Sequence, residues 1–222
     1  MIKSFLSSLF SKKQIKEDVK KEMPNIQTPI KGKRILIISD IHFPLSAKET
    51  ELIKEKYDQC LLLGDIPKDI LKMLSHSIKC PVCGVFGNHD THESYSGLNF
   101  KNINALTVDC GYTIAGMEGS SKYKEKTPYV MMSQEDSLLL SDITSKADIL
   151  ISHDSPYQIH SNAINKEGFK GITKYINEKK PKLHLYGHHH IFKHYMIDST
   201  LCICNYRFGI IEEDGIYYPL SV

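Results

Sequence analysis

Five short polar words interrupt the apolar runs of this chain: Asp40-Ile41-His42, Gly64-Asp65, Gly87-Asn88-His89-Asp90, His153-Asp154 and Gly187-His188-His189-His190. Each contributes carboxylate, imidazole or carboxamide groups, and none contributes a thiol. That donor set suits zinc, iron or manganese and argues against a soft thiolate site. If the words meet in space, their donors are too many for one tetrahedral ion and about enough for two. In a two-metal site the ions sit ~3.5–4 Å apart, commonly bridged by one carboxylate. Glycine ahead of Asp65, Asn88 and His188 lets the backbone turn sharply and approach such a site closely. Taken singly, the same residues are ordinary turn formers. Their chemical meaning depends on the elements that carry them.

Each word closes a strand-like run. The runs are RILIIS (34–39), QCLLL (59–63), CPVCGVF (80–86), ADILIS (147–152) and KLHLY (182–186). Near-continuous apolar runs of this length predict strands buried on both faces. Ligands of α/β sheets bind beyond the carboxyl ends of strands, so five such ends can converge although Asp40 and His190 are distant in sequence. Helices are predicted between the runs. One covers 67–76 and opens on Pro67. A second covers 133–145, opening on Ser133 with Asp136 three residues on, a weakened capping box. A third covers 168–178 and turns Phe169, Ile172, Tyr175 and Ile176 inward. Segments 103–117 and 191–219 read as hairpin strands, the last turning at Asp214-Gly215. The class is α/β, with strands enough for two sheets.

The 222 residues suffice for one good-sized domain, and 41% hydrophobic with 24% charged residues is ordinary for a soluble globular protein. The net charge of +2 does not by itself imply nucleic acid, and none is required, but it is unevenly spread. Residues 1–34 hold nine Lys/Arg against three Asp/Glu, a net of +6, which leaves −4 for the rest. Ile2, Phe5, Leu6 and Leu9 fall at helical spacing with Phe10 alongside, then come lysines and the linker-like MPNIQTPIKGK. The expected organisation is a tail over 1–32 and one domain over 33–222. Residues 1–13 are expected to pack on the domain surface, or else to touch a membrane surface or a partner. The six cysteines form no disulfide pattern: Cys80 and Cys83 lie within a strand-like run, and Cys202 and Cys204 alternate as on a strand face. No run is long enough to span a membrane and no signal peptide is evident, so a cytoplasmic location is expected.

In this order, DIH, GD, GNHD, H and GHHH resemble the motifs D-x-H, G-D, G-N-H-D/E, H and G-H-x-H of the calcineurin-like metallophosphoesterase superfamily. The resemblance runs from about residue 34 to 190. It implies two packed mixed β-sheets flanked by helices, an αββα sandwich. It also implies two divalent metal ions, manganese first and iron or zinc as alternatives. By the same resemblance Asp40, His42 and His190 hold one ion, Asn88, His153 and His188 the other, and Asp65 bridges them. His89 is then a catalytic histidine outside the ligand set, with Asp90 orienting its ring, and His189, at the variable position, binds no metal.

Departures narrow the branch. GDIPKDI replaces the GDYVDRG of the protein Ser/Thr phosphatases, and His89 stands where the lipid A precursor pyrophosphatases have arginine. The chain has no room for the capping domain of the large repair nucleases. The expected function is hydrolysis of a small phosphate ester, a nucleotide or glycerophosphodiester among the options. A diester is favoured because Arg34 and Arg207 are the only arginines available to clamp a dianionic monoester. The alternatives are a phosphomonoesterase and, from another class, a non-catalytic scaffold like the superfamily's retromer subunit. His76, His160, His184 and His194 read as surface or satisfied core residues, and His92 as a rim residue. Tyr95, Tyr123, Tyr129 and Tyr157 border the site as candidates for substrate stacking, with packing as the default.

Overall fold

All five residues of the run Ile35–Ser39 are buried, and its apolar side chains divide between two cores. Ile35 and Ile37 enter one apolar cluster, Leu36 and Ile38 another. A strand sandwiched on both faces must do this, because successive side chains point to opposite sides. A computed structural model describes residues 25–123, 128–160 and 167–220.

The first sheet has seven strands in the order β1 (Ile26–Gln27), β15 (Ile216–Pro219), β14 (Arg207–Ile211), β2 (Ile35–Ser39), β3 (Gln59–Leu62), β4 (Val82–Gly84) and β5 (Lys101–Asn102). Strands β2 to β5 run parallel, and β14, β15 and β1 join antiparallel. The second sheet has six strands, ordered β12 (Lys193–Ile197), β13 (Thr200–Cys204), β11 (Leu183–Tyr186), β10 (Ile149–Ser152), β7 (Thr113–Met117) and β6 (Thr107–Asp109). Its four central strands are parallel and its edges antiparallel. A short parallel pair, β8 (Ser120–Ser121) with β9 (Met131–Met132), lies apart.

The sheets pack face to face through Ile35, Ile37, Leu61 and Val85 of the first and Ile149, Ile151, Leu183, Leu185 and Ile203 of the second. The outer face of the first sheet is covered by α1 (Ala47–Ile53) and α2 (Lys68–Ser77), through Ile53, Leu71 and Leu74. That of the second is covered by α4 (Lys170–Lys179), through Ile172, Tyr175 and Ile176, with α3 (Gln134–Ile143) beside it. The architecture is the expected αββα sandwich.

Local differences have local causes. Pro67 stands just outside α2, which starts at Lys68. Ser133 caps α3, its Oγ accepting from the Asp136 N–H at 3.1 Å. Helix α1 was not expected, although Ser46 and Glu49 form a full capping box there. The folded region begins before Lys33, since Ile26–Gln27 pair with β15 and Ile30 is fully buried. The amphipathic segment 1–13 lies outside the described residues. All six cysteines are free, with Cys83 buried on β4 and Cys202 and Cys204 on β13. Among the described residues, no helix is long and apolar enough to cross a membrane.

Candidate metal centre

The parallel strands of both sheets point their carboxyl ends to one edge, and the polar words follow there. Asp40 comes directly after β2, and Asp65 lies just beyond β3. Asn88 to Asp90 follow β4, His153 follows β10, and His188 to His190 follow β11. The two sheets are stitched at this edge: His153 Nδ1 donates to the Leu63 carbonyl at 2.7 Å, and the His188 N–H reaches the Asp40 carboxylate at 3.0 Å.

Tight turns are what the geometry demands. Asp40, Asp65, His188 and His190 all adopt left-handed backbone, with φ of 51°, 55°, 66° and 53°. Outside glycine each such residue costs ~1 kcal/mol or more, and strain of this kind gathers at functional sites. Close approach explains two of the glycines. A Cβ at Gly87 would overlap the Asp65 carboxylate, and one at Gly187 would overlap that of Asp40.

Two donor groups result. Asp40, His42 and His190 bring ligand atoms within 4.8 Å of one another, and Asp40, Asp65 and His153 do the same. The Nε2 atoms of His42 and His190 meet at 3.0 Å, and His190 Nε2 lies 3.4 Å from Asp40 Oδ1. His153 Nε2 lies 3.4 Å from Asp65 Oδ2 and 2.9 Å from Asn88 Oδ1. The His188 ring packs edge-on against His153 at 4.9 Å. Every residue expected in the ligand set therefore reaches the same edge. Asp40 takes part in both groups, and Asp65 in the second only.

The electrostatics fit a cation. Asp40, Asp65 and His153 are almost fully buried. Burial disfavours the His153 imidazolium, but Asp65 and Asp40 outweigh it and hold its pKa up to about 10. Burial likewise opposes the Asp65 carboxylate, yet His153 and the His89 N–H hold its pKa well below the usual range. Burial and the neighbouring His190 push His42 down, which favours the neutral, ligating imidazole. His153 donates its second ring nitrogen to a backbone carbonyl, the habit of metal-ligating histidines. Imidazole and carboxylate atoms converging in this way fit divalent manganese, iron or zinc.

One expectation is corrected. Asp90 does not orient His89: its Oδ2 accepts the backbone N–H groups of Asp65 and Gly87, both at 2.8 Å. It clamps two ligand-bearing turns together instead, because the turn at Gly87 places its carboxylate beneath the chain. Burial pushes its pKa up to about 6. The His89 ring is exposed, with Nε2 4.0 Å from Asp65 Oδ2, edge-on to His42 and near Tyr129. His189 turns away from His42 and His190 into a buried pairing with Asp154, 3.6 Å distant.

The remaining histidines and tyrosines divide as their surroundings dictate. His184 is buried against Ser152 Oγ, and His92 is exposed beside Glu118. Tyr95 is core, its hydroxyl donating to Val85, whereas Tyr123 accepts from Asn88 at 3.5 Å and Tyr129 borders His89. Sequence reasoning passed over Glu49, Asn205 and Tyr206, which support this edge; the capping box at Ser46 was the one legible signal.

The sequence model of the calcineurin-like phosphoesterase family matches residues 33–192, and the chain belongs to that family. No curated protein matches the sequence. Among solved structures, one crystal structure aligns with a TM-score of 0.64 at 12% identity, covering 85% of this chain and 99% of its own. Phosphopantetheinyl hydrolase (PptH) from Mycobacterium tuberculosis aligns with 0.55 at 12% identity, covering 80% and 91%. Vps29 from Entamoeba histolytica aligns with 0.47 at 11%, covering 81% and 85%. At these identities the first two show a shared fold. The family is metal-dependent, and the donor groups above are this chain's candidate ligands.

Proposed function

We propose that this protein is a dinuclear metal-dependent phosphodiesterase. The observation that carries the reading is the convergence of Asp40, His42, Asp65, Asn88, His153, His188 and His190 from both sheets onto one edge, beside the exposed His89. Asp40, His42 and His190 would hold one ion, Asn88, His153 and His188 the other, with Asp65 shared. Two bound ions, manganese first and iron or zinc as alternatives, would supply Lewis acidity at the phosphoryl oxygens and a water acidified to near neutrality.

The chain's own residues do the rest. His89 holds a proton at Nε2, which lies 4.0 Å from Asp65 Oδ2, and delivers it to the leaving oxygen. Its exposure lets a substrate reach it, and its N–H to Asp65 Oδ1, at 2.7 Å, fixes the turn that presents it. Asp90 holds that turn from beneath. Both arginines are already committed, Arg34 to Glu55 and Glu212 and Arg207 to Glu49. No guanidinium is left for a bidentate clamp on a dianionic monoester, which supports a diester substrate.

The test is a panel of nitrophenyl diesters, nitrophenyl phosphate, cyclic nucleotides, dinucleotides and glycerophosphodiesters with manganese-loaded protein. Diester turnover abolished by chelation is expected. Preference for the monoester would refute the diester reading, and no turnover of any ester would favour a scaffold.

A further inference from the structure

The family match ends at residue 192, yet one half of the donor set is supported from beyond it. The turn after β13 carries the chain from the second sheet to the first, and its residues Asn205 and Tyr206, with Arg207 at the start of β14, each reach a different donor segment. Asn205 is fully buried. Its N–H donates to the Tyr186 carbonyl at 2.7 Å, and its Nδ2 donates to Ser39 Oγ at 2.9 Å, next to Asp40. Ser39 Oγ donates back to the Asn205 carbonyl at 3.1 Å, and Tyr217 fixes the remaining amide oxygen at 2.6 Å.

Tyr206 stacks on His190, with centroids 5.5 Å apart and planes 27° from parallel. Arg207 sits in left-handed backbone (φ 58°) and pairs through two nitrogens with buried Glu49, at 2.6 and 2.8 Å. Its outer nitrogens donate to the carbonyls of Phe43 and Pro44, the two residues after His42, at 3.3 and 3.2 Å. Glu49 in turn accepts from the Ser46 N–H, closing the far end of that loop.

We infer that Tyr206 and Arg207 are positioning residues for the ion held by Asp40, His42 and His190, and not for its neighbour, while Asn205 braces the Asp40 that both donor groups share. The inference rests on the dinuclear reading above. His42 and His190 are the exposed ligands, so they have most rotamer freedom to lose when an ion binds. The ring stack restrains the His190 side chain and the carbonyl fork fixes the backbone that presents His42, which is how supporting shells raise metal affinity. His153 has separate support from Leu63 and Asn88.

The experiment titrates metal-free full-length protein with Co(II), read by visible absorption and calorimetry, in the wild type, Tyr206→Leu and Arg207→Lys. The wild type is expected to bind in two steps. Each variant should weaken one step by ~10–100-fold and leave the other unchanged, the range typical of supporting-residue substitutions. Equal weakening of both steps would mean a general folding defect and overturn the inference. Should Arg207→Lys fail to fold, Tyr206→Leu decides alone, since it leaves the Arg207–Glu49 pair intact. Wild-type affinity in the variants would also overturn the inference while sparing the dinuclear reading. A wild type that takes up fewer than two ions would overturn both.

Discussion

Replacing Asp90 by alanine removes one oxygen that two backbone N–H groups share, those of Asp65 and Gly87. A hydrogen bond to a charged group is worth ~1.5–3 kcal/mol, so the pair amounts to roughly 4–5 kcal/mol gross. Those bonds favour the ionised form, but burial outweighs them and raises the Asp90 pKa from 3.8 to about 6. At pH 7 that shift costs the ionised form ~3 kcal/mol, and at pH 5, where the folded group is mostly protonated, only ~1.5 kcal/mol. The sign follows: a carboxyl with a raised folded pKa contributes fully below its unfolded value, and loses that contribution as pH rises through 6. Asp90→Ala should therefore cost the metal-free protein ~1.5 kcal/mol more at pH 5 than at pH 7. Urea unfolding at both pH values reads it directly. Activity separates the clamp from an orienting role, because a clamp acts on the Asp65 turn whether or not His89 is present. Asp90→Ala should thus reduce metal content and turnover even in a His89→Asn background. A penalty smaller at pH 5 than at pH 7, or an Asp90→Ala effect silent in that background, would refute the reasoning.

His89→Asn should retain both metals and lose roughly 10²–10⁴-fold on alkyl diesters but distinctly less on nitrophenyl diesters, whose leaving group needs no proton; equal losses would show charge stabilisation instead of proton transfer. Asp65→Asn should lower the content of both ions, whereas His190→Ala should disturb one, as metal analysis of purified protein will show; a full complement in Asp65→Asn would remove it from the centre. Burial lowers the His184 pKa from 6.5 to about 3, so between those values the unfolded chain binds a proton that the folded chain refuses. Stability should fall by ~1.4 kcal/mol per pH unit from this group as pH drops below 6.5, and a metal-free His184→Gln variant should show a shallower slope between pH 7 and 5.

The five strands that carry the polar words, β2, β3, β4, β10 and β11, were legible because a strand covered on both faces is nearly apolar throughout, and each such run ended abruptly in a polar word; the parallel pairing of β5, β7 and β13 was not. The third helix was legible for a similar reason: Ile172, Tyr175 and Ile176 repeat at helical spacing and are all buried. Helix α1 is only seven residues long, too short for periodicity to show. Its capping box was readable but needs tertiary company, here Arg207, before it reveals a role. Asp90 was misjudged because the role implied by the resemblance carries no information about which N–H groups its carboxylate meets in this chain. The chain instead folds its carboxylate under the turn, onto N–H groups of residues 65 and 87. Nothing local could reveal that Ile26 pairs with Tyr217, a contact made by nearly opposite ends of the described chain.

Strand β14 lies between β15 and β2, in the interior of the sheet that begins the domain. During synthesis β2 therefore emerges with one side unpaired and stays so until residues 207–211 leave the ribosome. At ~5–20 residues per second the wait is roughly ten to thirty seconds. Throughout it, a largely apolar strand exposes its hydrogen-bonding edge, the kind of surface that invites pairing with another chain. Every candidate ligand has been translated before that edge closes, yet the support beneath Asp40, His42 and His190 arrives with the closing strand. A nascent chain halted before Asn205 would thus lack the contacts to Ser39, His190 and the loop after His42 and also keep its open edge, and for this fold the two liabilities end in the same moment.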